Sequence, residues 1–166
     1  MAYRTRTYIA GDWTNDKDAI DQLYKWNDNN YWGLDFVDVH QFHQSKDSSL
    51  NCSIKESLRE RMDSCKTFVV VIGNKTNTTT AGSCSNCSWY YNGGCLRGNT
   101  ISDKSYIHFE CDKAVRDGLK IVVLYNSVYR HPELCPNSVK NTGTHISMKN
   151  SDGTWNYVEI KNAIMD

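Results

Sequence analysis

Thr67-Phe68-Val69-Val70-Val71-Ile72-Gly73 decides the fold. Three valines and an isoleucine run on without polar interruption and stop at a glycine. A strand of that composition suits the centre of a sheet buried on both faces, which is the mark of a parallel sheet covered by helices. The segments around it agree. Residues 6–11 (RTYIAG) predict a short first strand ending in a glycine turn, and residues 34–39 (LDFVDV) a second strand. Residues 16–26 place Ile20, Leu23 and Tyr24, with Asn27 beyond them, at helical spacing. Residues 54–65 do the same with Ile54, Leu58, Met62 and Cys65.

Downstream, residues 105–117 predict a helix with Ile107, Cys111, Ala114 and Val115 toward the sheet, stopped by Gly118. Residues 119–125 supply a fourth strand and 145–148 a short fifth. Residues 155–165 form a last helix, with Trp155, Val158, Ile160 and Ile164 as core candidates. Strand and helix therefore alternate, which implies a doubly wound, flavodoxin-like α/β fold of four to five parallel strands with helices on both faces. The chain of 166 residues is the size of one domain, 1–166. One stretch breaks the pattern. Residues 74–104 are rich in Asn, Thr, Ser and Gly, show little periodicity, and carry three cysteines. Such a long insertion is expected to be functional or separately stabilised.

Bulk composition narrows the function classes. Nineteen basic and nineteen acidic residues leave no net charge, which argues against broad nucleic-acid binding through many phosphate contacts. Apolar runs reach roughly five to eight residues against about 20 for a membrane span, so no membrane association is expected. The N-terminus lacks an apolar stretch of signal-peptide length, and the seven cysteines are an odd number; both favour a cytoplasmic protein with reduced thiols.

In an open α/β sheet, ligands bind beyond the carboxyl ends of the strands. Loops there carry Gly11, Asp12 and Trp13 after the first strand and Asp38 and His40 after the second. The helix that follows the insertion carries Tyr106 and Glu110. Trp13 suits stacking on a nucleobase or packing at a helix entrance. Asp38 suits a ribose hydroxyl, although the first turn lacks G-x-G-x-x-G and disfavours a dinucleotide-binding Rossmann site. His40 and His43 suit polar loop positions better than bases, since no nucleophile can be assigned beside them. Glu110 lies four residues after Tyr106 on one helix face, at the edge of the apolar stripe, where a rim carboxylate is expected. A carboxylate there can stabilise an oxocarbenium ion, act as nucleophile or hold ribose hydroxyls; the alternative is a solvated helical glutamate. Cys84-x-x-Cys87 with Cys95 supplies up to three ligands of a structural zinc site, with Cys111, His108 or Cys135 as fourth; the alternative is unpaired thiols in a loop.

The run from Asn51-Cys52-Ser53-Ile54-Lys55 through Ile72-Gly73-Asn74-Lys75-Thr76, followed by Tyr106-Ile107-His108-Phe109-Glu110, resembles the TIR-like family typified by the NAD-processing subunit of Thoeris anti-phage systems. That family shares a strand ending IG-x-x-T and a helix start W-V-x-x-E; Tyr106 stands where the tryptophan is usual, and Glu110 matches the catalytic glutamate. The resemblance implies a TIR-like fold and cleavage of the nicotinamide–ribose bond of NAD. It also implies an ADP-ribose-derived, cyclic signalling product, an effector protein that responds to it, and self-association. Two features depart from the family: the long insertion, and a first turn reading Ala10-Gly11-Asp12-Trp13. Tyr8-Ile9-Ala10-Gly11 also resembles the first strand of nucleoside 2-deoxyribosyltransferases, which would cleave a nucleoside N-glycosidic bond. A noncatalytic TIR-like interaction module is the third reading.

Overall fold

The structure is a computed structural model. It describes residues 4–37, 51–78, 83–84, 90–96 and 104–166, with only the backbone at 51–53. The elements are β1 (Arg6–Ala10), α1 (Lys17–Asn29), β2 (Phe36–Val37), α2 (Asn51–Met62), β3 (Cys65–Ile72), β4 (Tyr90–Tyr91), β5 (Gly94–Cys95), α3 (Tyr106–Arg116), β6 (Lys120–Tyr125), β7 (Thr144–Ser147) and α4 (Tyr157–Met165). Five strands form one parallel sheet in the order β2-β1-β3-β6-β7. The chain winds outward from β1 in one direction and from β3 in the other. This is the flavodoxin-like arrangement, with its switch point between β1 and β3.

Strand alternation divides the core. From β3, Phe68, Val70 and Ile72 point to one face, and Val69 and Val71 to the other. From β6, Ile121, Val123 and Tyr125 join the first face, and Val122 and Leu124 the second. The first face is covered by α2 (Ile54, Leu58, Met62), α3 (Tyr106, Ile107, Cys111, Ala114) and the β6–β7 connection (Cys135, Val139). The second is covered by α1 (Ala19, Ile20, Leu23, Trp26) and α4 (Ile160, Ile164). Fully burying one aliphatic side chain contributes about 1.5–3 kcal/mol, so a strand apolar on both sides is the element on which both layers depend. An aromatic wedge locks α4 to α1: Trp26 meets Tyr157 at 5.3 Å and Trp155 at 6.2 Å, and the Trp32 indole N–H donates to the Tyr157 hydroxyl at 3.0 Å.

Several expectations change in detail. The second strand is two residues long, and Cys65 opens β3 instead of closing the preceding helix. Val115 and Val158, expected in the core, are 40% and 64% exposed, because each lies off the buried stripe of its helix. The insertion contains a hairpin, β4–β5, whose turn residues Asn92 and Gly93 both have positive φ, as a type I′ turn requires. Among the described residues no helix is long and apolar enough to cross a membrane.

Candidate functional site

The carboxyl ends of β1 and β3 carry Gly11 and Gly73. Both are buried, and both are glycine for a steric reason. A methyl group on Gly11 would press on Ile20 and Val71, and one on Gly73 would collide with the Asp16 carboxyl. The turn from Gly11 to α1 therefore packs directly on the sheet edge. Asp12 organises that turn. Its Oδ1 accepts from the backbone N–H of Thr14 at 2.9 Å and of Asn15 at 3.0 Å, and its Oδ2 accepts from the Asn15 amide at 2.6 Å. The carboxylate expected to meet a ligand is thus turned toward its own loop. Trp13 is half-buried, packs against both core layers and lies 6.1 Å from the Tyr24 ring. Asp38 and His40 lie outside the described residues.

Glu110 is not at a rim. It is 0% exposed, on the inner face of α3 with Tyr106, Ile107, Cys111 and Ala114. Its α-helical position explains this: 106, 110 and 114 form one row of side chains, and 107 and 111 the next. Two neighbours register its charge. The Tyr8 phenol is pushed well up, first by burial and then by the Glu110 charge. The Cys111 thiol is also pushed well up by burial, with the Glu110 charge next. Tyr8 stacks on Phe68 at 5.8 Å, so β1 and β3 together form the floor beneath the acid.

The start of α3 is fixed by a local knot. Ser105 caps the helix, its Oγ accepting from the His108 N–H at 3.3 Å, while Oγ and His108 Nδ1 are 2.7 Å apart. His108 Nε2 lies 3.2 Å from Asn77 Oδ1, and the Asn77 amide reaches the Glu133 carbonyl at 3.2 Å. Asn77 Oδ1 can only accept, so Nε2 carries the proton and Nδ1 accepts from the Ser105 hydroxyl. Burial holds the imidazole below its ordinary value, outweighing the Asp112 carboxylate that raises it. At the other end, buried Lys113 bridges Asp63 at 2.9 Å and Asp117 at 2.6 Å.

The zinc expectation is not supported. Among the described residues no three His, Cys, Asp or Glu side chains are grouped to hold a metal ion. Cys84 is buried and Cys95 half-buried, while Cys87 lies outside the described residues. The proposed fourth ligands are committed elsewhere: Cys111 and Cys135 are packed in the core, and His108 uses both ring nitrogens on Ser105 and Asn77. An open cavity of about 520 Å³ lies at the opposite end of the sheet, where Lys120 and Thr144 begin β6 and β7. It is remote from the switch point and has lysine, arginine, glutamate and aspartate on its walls, with no dominant sign of charge.

Sequence reasoning missed Asp16, taken only as a helix start. It is 4% exposed and lies on Gly73 with the Asn126 amide donating to its Oδ1 at 3.0 Å. The signal that could have found it is the glycine at the end of β3, which marks a close approach. No curated protein matches the chain. Residues 7–81 match the family described as Thoeris protein ThsB, TIR-like domain, a span that runs from β1 past β3 and ends before α3. Together with the parallel sheet in flavodoxin-like order, this match supports a ThsB-like, TIR-like domain in the chain.

Proposed function

We propose that this domain cleaves the nicotinamide–ribose bond of NAD in anti-phage defence, with Glu110 as the group that stabilises the reacting ribose. The observation that carries this reading is the enclosed carboxylate on the inner face of α3, the first α-helix after β3 among the described residues. An apolar residue would fill that helix face at lower desolvation cost. A carboxylate there suits a task other than folding.

The chemistry asks little of the protein. The glycosidic bond of NAD breaks with its electron pair going to the nicotinamide ring, which leaves neutral, so no strong general acid is required. Positive charge develops on the ribose, and a preorganised carboxylate in a dry setting stabilises it far better than one in water. Glu110 lies one turn inside the helix start at Tyr106, toward the carboxyl edge of the sheet. In this reading Trp13 and Tyr106 serve as the aromatic walls, with Gly11 giving close approach to the backbone. Exclusion of water favours cyclisation or transfer over hydrolysis and yields an ADP-ribose-derived signal for an effector protein. Self-association completes the pocket.

The complete enclosure of Glu110 favours one second reading, a TIR-like interaction module in which the acid is structural. Incubation with NAD, alone and with extract of phage-infected cells, followed by mass spectrometry, separates the two. Nicotinamide release by the native chain and its loss in Glu110→Gln supports the enzyme. Absence of turnover in every condition, with the phenotype of Glu110→Gln unchanged in cells, leaves the module. Base exchange on nucleosides without NAD loss would instead support deoxyribosyl transfer.

A further inference from the structure

Asp16 occupies the N-cap of α1, a position where aspartate ordinarily accepts from the first free N–H groups of the helix. Here it makes no side-chain cap bond. The carboxyl turns inward against Gly73, where the glycine leaves room for it. The Asn126 Nδ2, at the end of β6, donates to Asp16 Oδ1 at 3.0 Å and to Asp18 Oδ1 at 3.1 Å. Both partners of that amide nitrogen are carboxylate oxygens, which fixes the amide orientation: reversed, its oxygen would face two acceptors. Two buried oxygens then remain with no donor, Asp16 Oδ2 and Asn126 Oδ1. They belong to the two side chains already joined through their other atoms. Unmet buried acceptors are rare and costly, and one hydrogen shared between these two side chains would satisfy both.

We infer that Asp16 is a neutral carboxylic acid whose Oδ2–H donates to Asn126 Oδ1, closing an acid–amide pair that clasps the β1–α1 turn to the ends of β3 and β6. The proton comes from solvent, and ionisation opens the clasp by setting two acceptors against each other. The surrounding groups agree. From β3 the carboxyl meets Gly73 and from β6 Asn126, neither of them titratable; from its own turn and helix it meets Asp12 and Asp18, both acidic. Burial raises the Asp16 carboxyl most, the Asn126 hydrogen bond lowers it, and the charges of Asp12 and Asp18 raise it further. The α1 N-terminus favours negative charge, but Asp12 already meets the turn's N–H groups. The clasp holds the segment that carries Asp12 and Trp13, independently of what that segment binds.

The test is a carboxyl carbon-13 NMR titration of the intact chain, with the Asp16 signal assigned by its loss in Asp16→Asn. The expected result is a protonated-carboxyl shift at pH 5, where an ordinary aspartate, with a pKa near about 3.9, is already charged. An ionised signal at pH 5, the result if a water or cation bridges the two oxygens, overturns the inference. Thermal melts give the second measurement. Asp16→Asn supplies the missing donor at every pH, so its melting temperature should match the native chain at pH 5 and exceed it at pH 8 by roughly 2–4 °C. A loss of the same size at both pH values also overturns the inference. If the variant does not fold, the native titration decides alone, with its signal assigned through the neighbouring backbone.

Discussion

Glu110 and Asp16 are two buried acids on opposite faces of one sheet, and they are buried differently. Asp16 sits in a receptacle made for it: a glycine where any other residue would collide, and an amide that donates to it. Glu110 lies in a row of core residues, above Tyr8 and beside Cys111, whose own ionisation its charge opposes. Burial alone therefore does not reveal a role. The surroundings of Asp16 account for it as a fastening, whereas those of Glu110 would be packed more cheaply by an apolar side chain.

Substitution can break this comparison. The largest effect should come from Glu110→Gln, which keeps the shape and removes the charge. Nicotinamide release should fall by about 10²–10³-fold, the size of one lost transition-state contact, while the thermal melt stays cooperative. Full activity in the variant would place Glu110 with Asp16 as a structural acid. Next comes Gly73→Ala. The added methyl displaces the Asp16 carboxyl from Asn126, and denaturant unfolding should show a loss of about 1–3 kcal/mol. A neutral result would mean that the receptacle is looser than its geometry.

Tyr8→Phe sharpens the other side. Removing the hydroxyl that faces Glu110 should cost about 1 kcal/mol of stability, read by the same unfolding curve. It should also remove the part of the alkaline loss of stability that Tyr8 ionisation gives the native chain. The sign follows from the raised phenol: its neutral form is favoured in the fold, so stability present below the ordinary tyrosine range is lost as pH rises through the folded value. The smallest effect concerns His108. Its folded value is lowered, so the contribution of neutral His108 is present above about pH 6.5 and is lost as pH falls through the folded value. Thermal melts from pH 7.5 to 5 should show a shallow decline that His108→Gln flattens; an unchanged slope in the variant would assign the decline to other groups.

Much of the fold was legible in the chain. The seven residues from Thr67 to Gly73 announced a strand covered on both faces, and β3 is that strand. The repeated strand–helix pattern gave the layers, and Ser105 with Gly118 bounded α3 closely. The hairpin was legible but overlooked: Tyr90-Tyr91-Asn92-Gly93 carries the Asn-Gly pair that type I′ turns favour. The candidate site was less legible. Tyr106 and Glu110 share a face, as their spacing requires, yet spacing cannot say how far inside the molecule that face lies. Asp12 was visible as a loop carboxylate, but not that its own turn would consume both oxygens.

Local periodicity and chain length determined the class of fold, because apolar residues at periods of two and 3.6 have few ways to be covered together. The family motif pointed to Glu110. Only the tertiary structure decided which acids are buried, what faces them, and that Gly73, Asp16 and Asn126 meet, since those three come from separate parts of the chain. The physical reason is that a side chain's protonation and reactivity are set by neighbours that sequence spacing does not bring together, and folding alone supplies them.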